Sequence, residues 1–193
     1  MSAFRDETLS LRFTAGFLLL SSLLWLLDTS GLLSALLPAV CVHEAGHALA
    51  LRLCGARVRA LRFEACGLRM DYSGALLEKE ELLCALAGPA AGLLWAITAS
   101  LAGRGLDSEY LLCSAGISLA LTAFNLLPAP MLDGGRALSS LGLGGQPLLG
   151  LAVGGALLLA GALSLRGGFG AVLLAAGAWT AIGTCKTSGF GIQ

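Results

Sequence analysis

Six apolar runs of near bilayer-crossing length take up most of this 193-residue chain: Leu11–Leu27, Gly31–Leu53, Leu82–Leu101, Tyr110–Leu127, Pro147–Leu165 and Phe169–Cys185. With 56% hydrophobic and 12% charged residues and a mean hydropathy of +0.84, the chain lies far outside ordinary soluble composition. A crossing needs about 20 consecutive apolar residues, so the pattern predicts an all-α membrane protein of about six transmembrane helices. Little chain remains for anything else, and residues 1–193 read as a single polytopic membrane domain. The first run lacks the small-residue cleavage site that would mark a secretory signal.

The second run carries the two histidines of the chain, four residues apart, in His43-Glu44-Ala45-Gly46-His47. Residues i and i+4 share a helix face, so both imidazoles can grip one metal ion, while Glu44 is rotated off that pair and can reach a water on the metal. An HExxH match is only a hypothesis until its context agrees. Here the context is an apolar span, where a charged side chain costs about 2.5–3.5 kcal/mol and is retained for function. The pattern is that of a zinc hydrolase built inside a membrane.

Two imidazoles do not complete a catalytic zinc site, which takes three protein ligands and an open position. With no third histidine, the remaining candidates are carboxylates and Cys41. Asp28 sits at a span end, where solvation explains it. Glu64 and Asp71 fall in an alternating polar segment. Asp133 follows the fourth apolar run in Pro128-Ala129-Pro130-Met131-Leu132-Asp133-Gly134-Gly135, where the prolines end the helix and the glycines permit a sharp turn after the carboxylate. Asp133 is therefore the expected third ligand, with one Zn2+ per chain. The six cysteines show no CxxC spacing and are assigned structural roles.

Between the second and third runs, Leu61-Arg62-Phe63-Glu64-Ala65 and Leu68-Arg69-Met70-Asp71-Tyr72 alternate in a strand period around Cys66-Gly67, which predicts a small β-hairpin. Glu78, Glu80 and Glu81 then mark a helix start. Gly88 and Gly92, and Gly150 and Gly154, are small-residue pairs expected to pack helices, and Pro89 is expected to kink the third span. Net charge is zero, and nothing points to nucleic acid. The basic residues are skewed: with the N-terminus inside, only Arg104 and Arg166 fall outside. The positive-inside rule thus predicts both termini and the hairpin in the cytoplasm.

The pair formed by His43-Glu44-Ala45-Gly46-His47 and Asn125-Leu126-Leu127-Pro128-Ala129-Pro130-Met131-Leu132-Asp133-Gly134 resembles the HExxH and NxxPxPxLDG motifs of the site-2 protease family, the intramembrane zinc metalloproteases. Ala87-Gly88-Pro89 resembles a third landmark, and the resemblance covers the second to fourth runs. It implies zinc ligation by His43, His47 and Asp133, Glu44 as general base, and Asn125 as polariser of the scissile carbonyl or oxyanion. Relatives often carry Asn where this chain has Gly92, and no PDZ-like or CBS-like module accompanies the core. The compact layout is similar to the sporulation branch, stage IV sporulation protein FB, without its C-terminal regulatory domain. The implied activity is regulated intramembrane proteolysis in a bacterial cell membrane. Its partners would be a membrane-protein substrate, the lipid bilayer and a regulatory membrane protein. The rival readings are a membrane metal-ion transporter, which has no reason to place a Glu after the first ligand, and an inactive protease-like scaffold, which complete motifs disfavour. Another HExxH membrane protease, with a distant glutamate as third ligand, is weakened by the lack of intramembrane Glu in the later runs.

Overall fold

A computed structural model of the chain describes residues 10–64, 67–143, 147–164 and 170–187. Among these, the element order is β1 (Ser10–Phe13), α1 (Ala15–Leu27), α2 (Leu32–Leu53), β2 (Arg57–Glu64), β3 (Gly67–Ser73), α3 (Glu78–Gly105), α4 (Glu109–Asn125), α5 (Asp133–Ser140), α6 (Pro147–Leu163) and α7 (Gly170–Thr187). Helices α2, α3 and α4 pack against one another, α5 lies against α3, and α6 pairs with α7.

The expected hairpin is present as antiparallel β2 and β3, paired from Arg57 opposite Ser73 to Glu64 opposite Gly67 with a register shift between Val58 and Ala60. Its anticipated turn at Cys66 falls outside the described residues. The sheet also has a third member. Strand β1 runs parallel to β2, with Phe13 opposite Phe63, and the two rings stack at 4.6 Å. The first apolar run therefore does not begin as helix at Leu11. Its opening residues are strand, and Thr14 makes the switch: its side chain accepts from the Phe17 amide at 3.2 Å to cap α1 and donates to the Phe63 carbonyl at 3.1 Å.

Contacts along the chain fix the two ends of the bundle. The α1 start, the α2 end, the α3 start and α5 all meet at the sheet, where Tyr72, Glu81, Arg136 and Ser139 line a cavity of about 170 Å³. At the far end, Tyr110 at the start of α4 donates to the Ser34 carbonyl near the start of α2, at 2.9 Å. Asp28 is at this far end. Its carboxylate accepts from the amides of Ser30, Leu32 and Leu33 and caps the entry to α2. The hydrogen bond from the Leu33 amide foremost holds its pKa below the ordinary carboxylate range. Asp28 is a helix cap and not a site residue.

Packing is inverted relative to a soluble protein. The buried positions are mainly Ala, Gly, Cys, Ser and Thr, whereas Leu19, Trp25, Leu26, Leu53 and Leu94 are exposed. Helix α1 is apolar on all sides and buries no residue. Such a surface suits hydrocarbon, and small residues inside are how helices approach closely within it. Helices α2 and α3 are long and apolar enough to cross a membrane, with mean hydropathies of 1.4 and 1.8. The remaining runs form helices of 13, 17, 17 and 18 residues. Thirteen residues rise only about 20 Å against a ~30 Å hydrocarbon core, so length alone does not assign six crossings.

Helix α3 continues through Pro89 without interruption. The Gly134-Gly135 pair is not a turn: it forms the first turn of α5, pressed against the backbone of Leu126, Leu127 and Ala129, where a Cβ has no room. Gly154 and Gly150 do pack helices, against α7 at Ala181 and Thr184. Gly46 brings α2 onto α3, since a Cβ there would meet the Ala87 carbonyl and, at 2.7 Å, Ala91. Gly46→Val should cost about 1–3 kcal/mol of stability by forcing the two helices apart. An unchanged thermal melt of the detergent-solubilised variant would show that this contact does not hold them.

Candidate metal centre

His43 and His47 lie on the buried face of α2, about two turns before its end at the sheet. Asp133 reaches them from the N-terminus of α5, 86 residues beyond His47. The three residues are 4%, 8% and 7% exposed, which is burial that only partnered polar groups tolerate. Nε2 of His43, Nε2 of His47 and Oδ2 of Asp133 form a triangle with every side 3.2 Å. Ligand atoms about 2.0–2.1 Å from a tetrahedral centre stand about 3.3 Å apart, so this donor set fits a zinc ion. Among the described residues it is the one group of three His, Cys, Asp or Glu side chains able to hold a metal.

The surroundings favour ligation. Nδ1–H of His47 donates to the Cys84 carbonyl oxygen of α3 at 2.8 Å, which leaves Nε2 unprotonated and aimed at the triangle. The free oxygen of Asp133, Oδ1, faces Arg136 Nη1 at 3.6 Å, one helical turn along α5. Nδ1 of His43 is buried without a hydrogen-bond partner.

Gly88 and Gly92 of α3, which the sequence reading assigned to helix packing alone, border this centre. A Cβ at Gly88 would overlap the His47 ring, and one at Gly92 would stand 2.6 Å from Thr122 Oγ1 and 3.6 Å from His43 Nδ1. The spacing of two glycines was legible. That the missing side chain of Gly88 makes room for His47 and that of Gly92 for Thr122 was not, because the facing residues are 41 and 30 positions away.

Glu44 is half-buried beside the triangle and makes no hydrogen bond with another described residue. Asn125 ends α4 and its amide donates back to the Leu121 carbonyl at 3.1 Å. Cys41 is exposed on α2 and does not join the cluster. Asp71 pairs with Arg62 and Arg69 on the sheet, and Glu64 lies on β2.

Two comparisons bear on this arrangement. Residues 101–160 match the model of Peptidase family M50, a stretch that includes the whole Asn125–Gly135 segment but not His43 and His47. The fold is similar to that of the site-2 protease from Methanocaldococcus jannaschii, at a TM-score of 0.66 and 21% identity, over 97% of this chain and 94% of that one. No curated protein matches the sequence. The family match spans 60 of the 193 residues, and the structural likeness shows a shared fold.

The triangle generates a discriminating expectation. Asp133→Ala should weaken zinc binding by more than the ~10–100-fold that loss of an outer hydrogen bond costs. Asp28→Ala and Asp71→Ala should leave it unchanged in a chelator-competition titration. Equal zinc affinity in Asp133→Ala and the native protein would remove Asp133 from the ligand set.

Proposed function

We propose that the chain is an intramembrane zinc metalloendopeptidase acting as one domain over residues 1–193. It would cleave a membrane-embedded or membrane-associated protein by water attack on a peptide bond. The observation that carries this reading is the donor triangle that Asp133 of α5 forms with His43 and His47 of the bilayer-length helix α2, with the unpartnered carboxylate of Glu44 beside it. A zinc ion held by His43, His47 and Asp133 would supply Lewis acidity, polarising the scissile carbonyl and making water easier to deprotonate near neutral pH. Glu44 accepts the proton of the attacking water at its carboxylate and delivers it to the leaving amine.

Asn125 completes the constellation. A side-chain amide has two N–H groups; one anchors Asn125 to the Leu121 carbonyl and the other remains to donate to the developing oxyanion. A substrate helix hides its peptide bonds and has to unwind first. The outer edge of β3, beside the cavity at Tyr72 and Arg136, suits an extended segment added as a further strand.

The placement we propose is a bacterial cell membrane, crossed about six times, with both termini and the sheet in the cytoplasm. Support comes from the charge at the two ends of the bundle. Arg52, Arg57, Arg59, Arg62, Arg69, Lys79 and Arg136 gather at the sheet end, and Arg104 lies on the last turn of α3 at the other. A regulatory membrane partner belongs to the same proposal.

Glu44→Gln tests the chemistry. Reconstituted with a single-span substrate, it should lose cleavage while retaining about one zinc per chain, because the ligands are untouched. Full peptidase activity in that variant refutes the mechanism, and zinc transport across vesicles by the native protein without cleavage favours a transporter instead. Asn125→Ala should lower turnover ~100-fold or more with zinc retained. If Asn125 only ties down the end of α4, melting temperature falls while single-turnover cleavage per folded molecule stays normal.

A further inference from the structure

The cavity at the sheet end of the bundle has walls of mixed charge. Tyr72 of β3, Glu81 of α3, and Arg136 and Ser139 of α5 line its roughly 170 Å³. That is room for roughly five or six waters by liquid volume, and so for one side chain and little more. Glu81 makes no ion pair with another described residue, and the Tyr72 hydroxyl makes no hydrogen bond with one. The Ser139 hydroxyl donates to the Gly135 carbonyl at 2.9 Å, which leaves its oxygen free to accept. Arg136 Nη1 stands 3.6 Å from Asp133 Oδ1, and its guanidinium has further N–H groups to give.

The position of Tyr72 says how a side chain would enter. Met70 and Tyr72 pack against the buried cluster of Ala50, Leu51, Ala56 and Cys84, so this face of β3 looks onto the helices. Among the described residues β3 pairs only with β2, and its other edge is open. Side chains alternate along a strand, so in a strand added at that edge the residue opposite Tyr72 points to the helix side, into the cavity. Arg136 also touches Asp133, whose other oxygen belongs to the donor triangle. At roughly 3.3 Å per residue, the entering side chain belongs to a residue within about three of the bond cut at the metal.

We propose that this cavity is a substrate subsite selective for a carboxamide, the side chain of Gln or Asn. Its walls carry one cation and one anion. A carboxylate would pair with Arg136 but meet Glu81, an ammonium would pair with Glu81 but meet Arg136, and an apolar side chain would strip water from both without replacing it. A carboxamide satisfies both at once: its oxygen accepts from the Arg136 guanidinium, and its NH2 donates to the Glu81 carboxylate and the Ser139 oxygen. Glu81 and Arg136 are then specificity-determining residues, and the subsite rests on the peptidase reading above.

The test uses the full zinc-loaded chain in vesicles with a single-span reporter substrate. Each residue within three of the cleaved bond is changed in turn to Gln, Glu, Lys or Leu, and kcat/KM is compared. At one position Gln should exceed Glu, Lys and Leu by ~10-fold or more. Glu81→Gln removes the anionic wall at constant size. It should raise cleavage of the Glu substrate at that position to at least the Gln value, with zinc content and melting unchanged. Should Glu81→Gln not fold, Glu81→Ala is read in its place with the same expectation. Equal rates for all four side chains at every position overturn the subsite, and so does a preference for Leu at the selective position. A Gln preference that persists undiminished in the Glu81 variant also overturns it, because another part of the chain then sets the choice. Failure of the zinc-loaded native chain to cleave any reporter would instead overturn the peptidase reading, and the subsite with it.

Discussion

Two imidazoles and a carboxylate are buried together between apolar helices, and most of the surrounding structure answers to that. Each of these groups loses water on burial, and a lone ionised carboxylate in such a place would be intolerable. The triangle of His43, His47 and Asp133 resolves the conflict by pointing one atom of each at a common centre. The remaining atoms are then handled separately: Nδ1 of His47 by a carbonyl of α3, and Oδ1 of Asp133 by Arg136. Helix α3 has to pass close to the His47 imidazole and to Thr122 of α4, which is why its positions there are Gly88 and Gly92.

The same closeness governs the bundle as a whole. In hydrocarbon, burying leucine gains nothing over leaving it against lipid, so association depends on close approach and interhelical polar contacts. The chain puts Ala, Gly, Ser and Thr between helices and turns Leu and Trp outward. Where α2 meets α3, Gly46 and Ala87 bring the backbones together. Where α4 meets α3, Ser118 donates to the Gly92 carbonyl, and Trp95 donates to Ser114 at 3.0 Å. A soluble protein of this size would fill such interfaces with branched side chains and set its helix axes further apart.

How much of this is legible in the sequence depends on the range of the interaction. HExxH is local: an i, i+4 pair on one helix face is set by helical geometry, and the hairpin follows from a local alternation of period two. Asp133 was reachable because its partners are few in kind, and a proline-rich break after a span is an unusual place for a carboxylate. Strand β1 was hidden because Ser10-Leu11-Arg12-Phe13 alternates for only four residues before a long apolar run swallows the signal. The glycines after Asp133 were read as a turn because Gly-Gly usually makes one. Their actual constraint, the carbonyls of Leu126 and Ala129 against the first turn of α5, appears only when the chain has folded back on itself. Asn125 lies between these cases. Its motif is local, but its amide donates to its own helix, and that bond alone does not distinguish a cap from a donor to substrate.

The unequal support of the three ligands has a mechanistic consequence. A backbone carbonyl cannot be lost by substitution or rotated away, so His47 is the fixed corner of the triangle. Asp133 stands on α5, an eight-residue helix that packs against α3 at the sheet end of the bundle, beside the cavity lined by Tyr72, Glu81, Arg136 and Ser139. Arg136 contributes both to that cavity and to the orientation of Asp133. An extended chain entering along β3 would meet Arg136 before it met the triangle, and a shift of that guanidinium would be transmitted to Oδ1 within one helical turn. His43, deeper in α2 and packed against α3 and α4, is shielded from such motion. The centre therefore combines two corners held inside the bundle with one carried on a short element at its mouth.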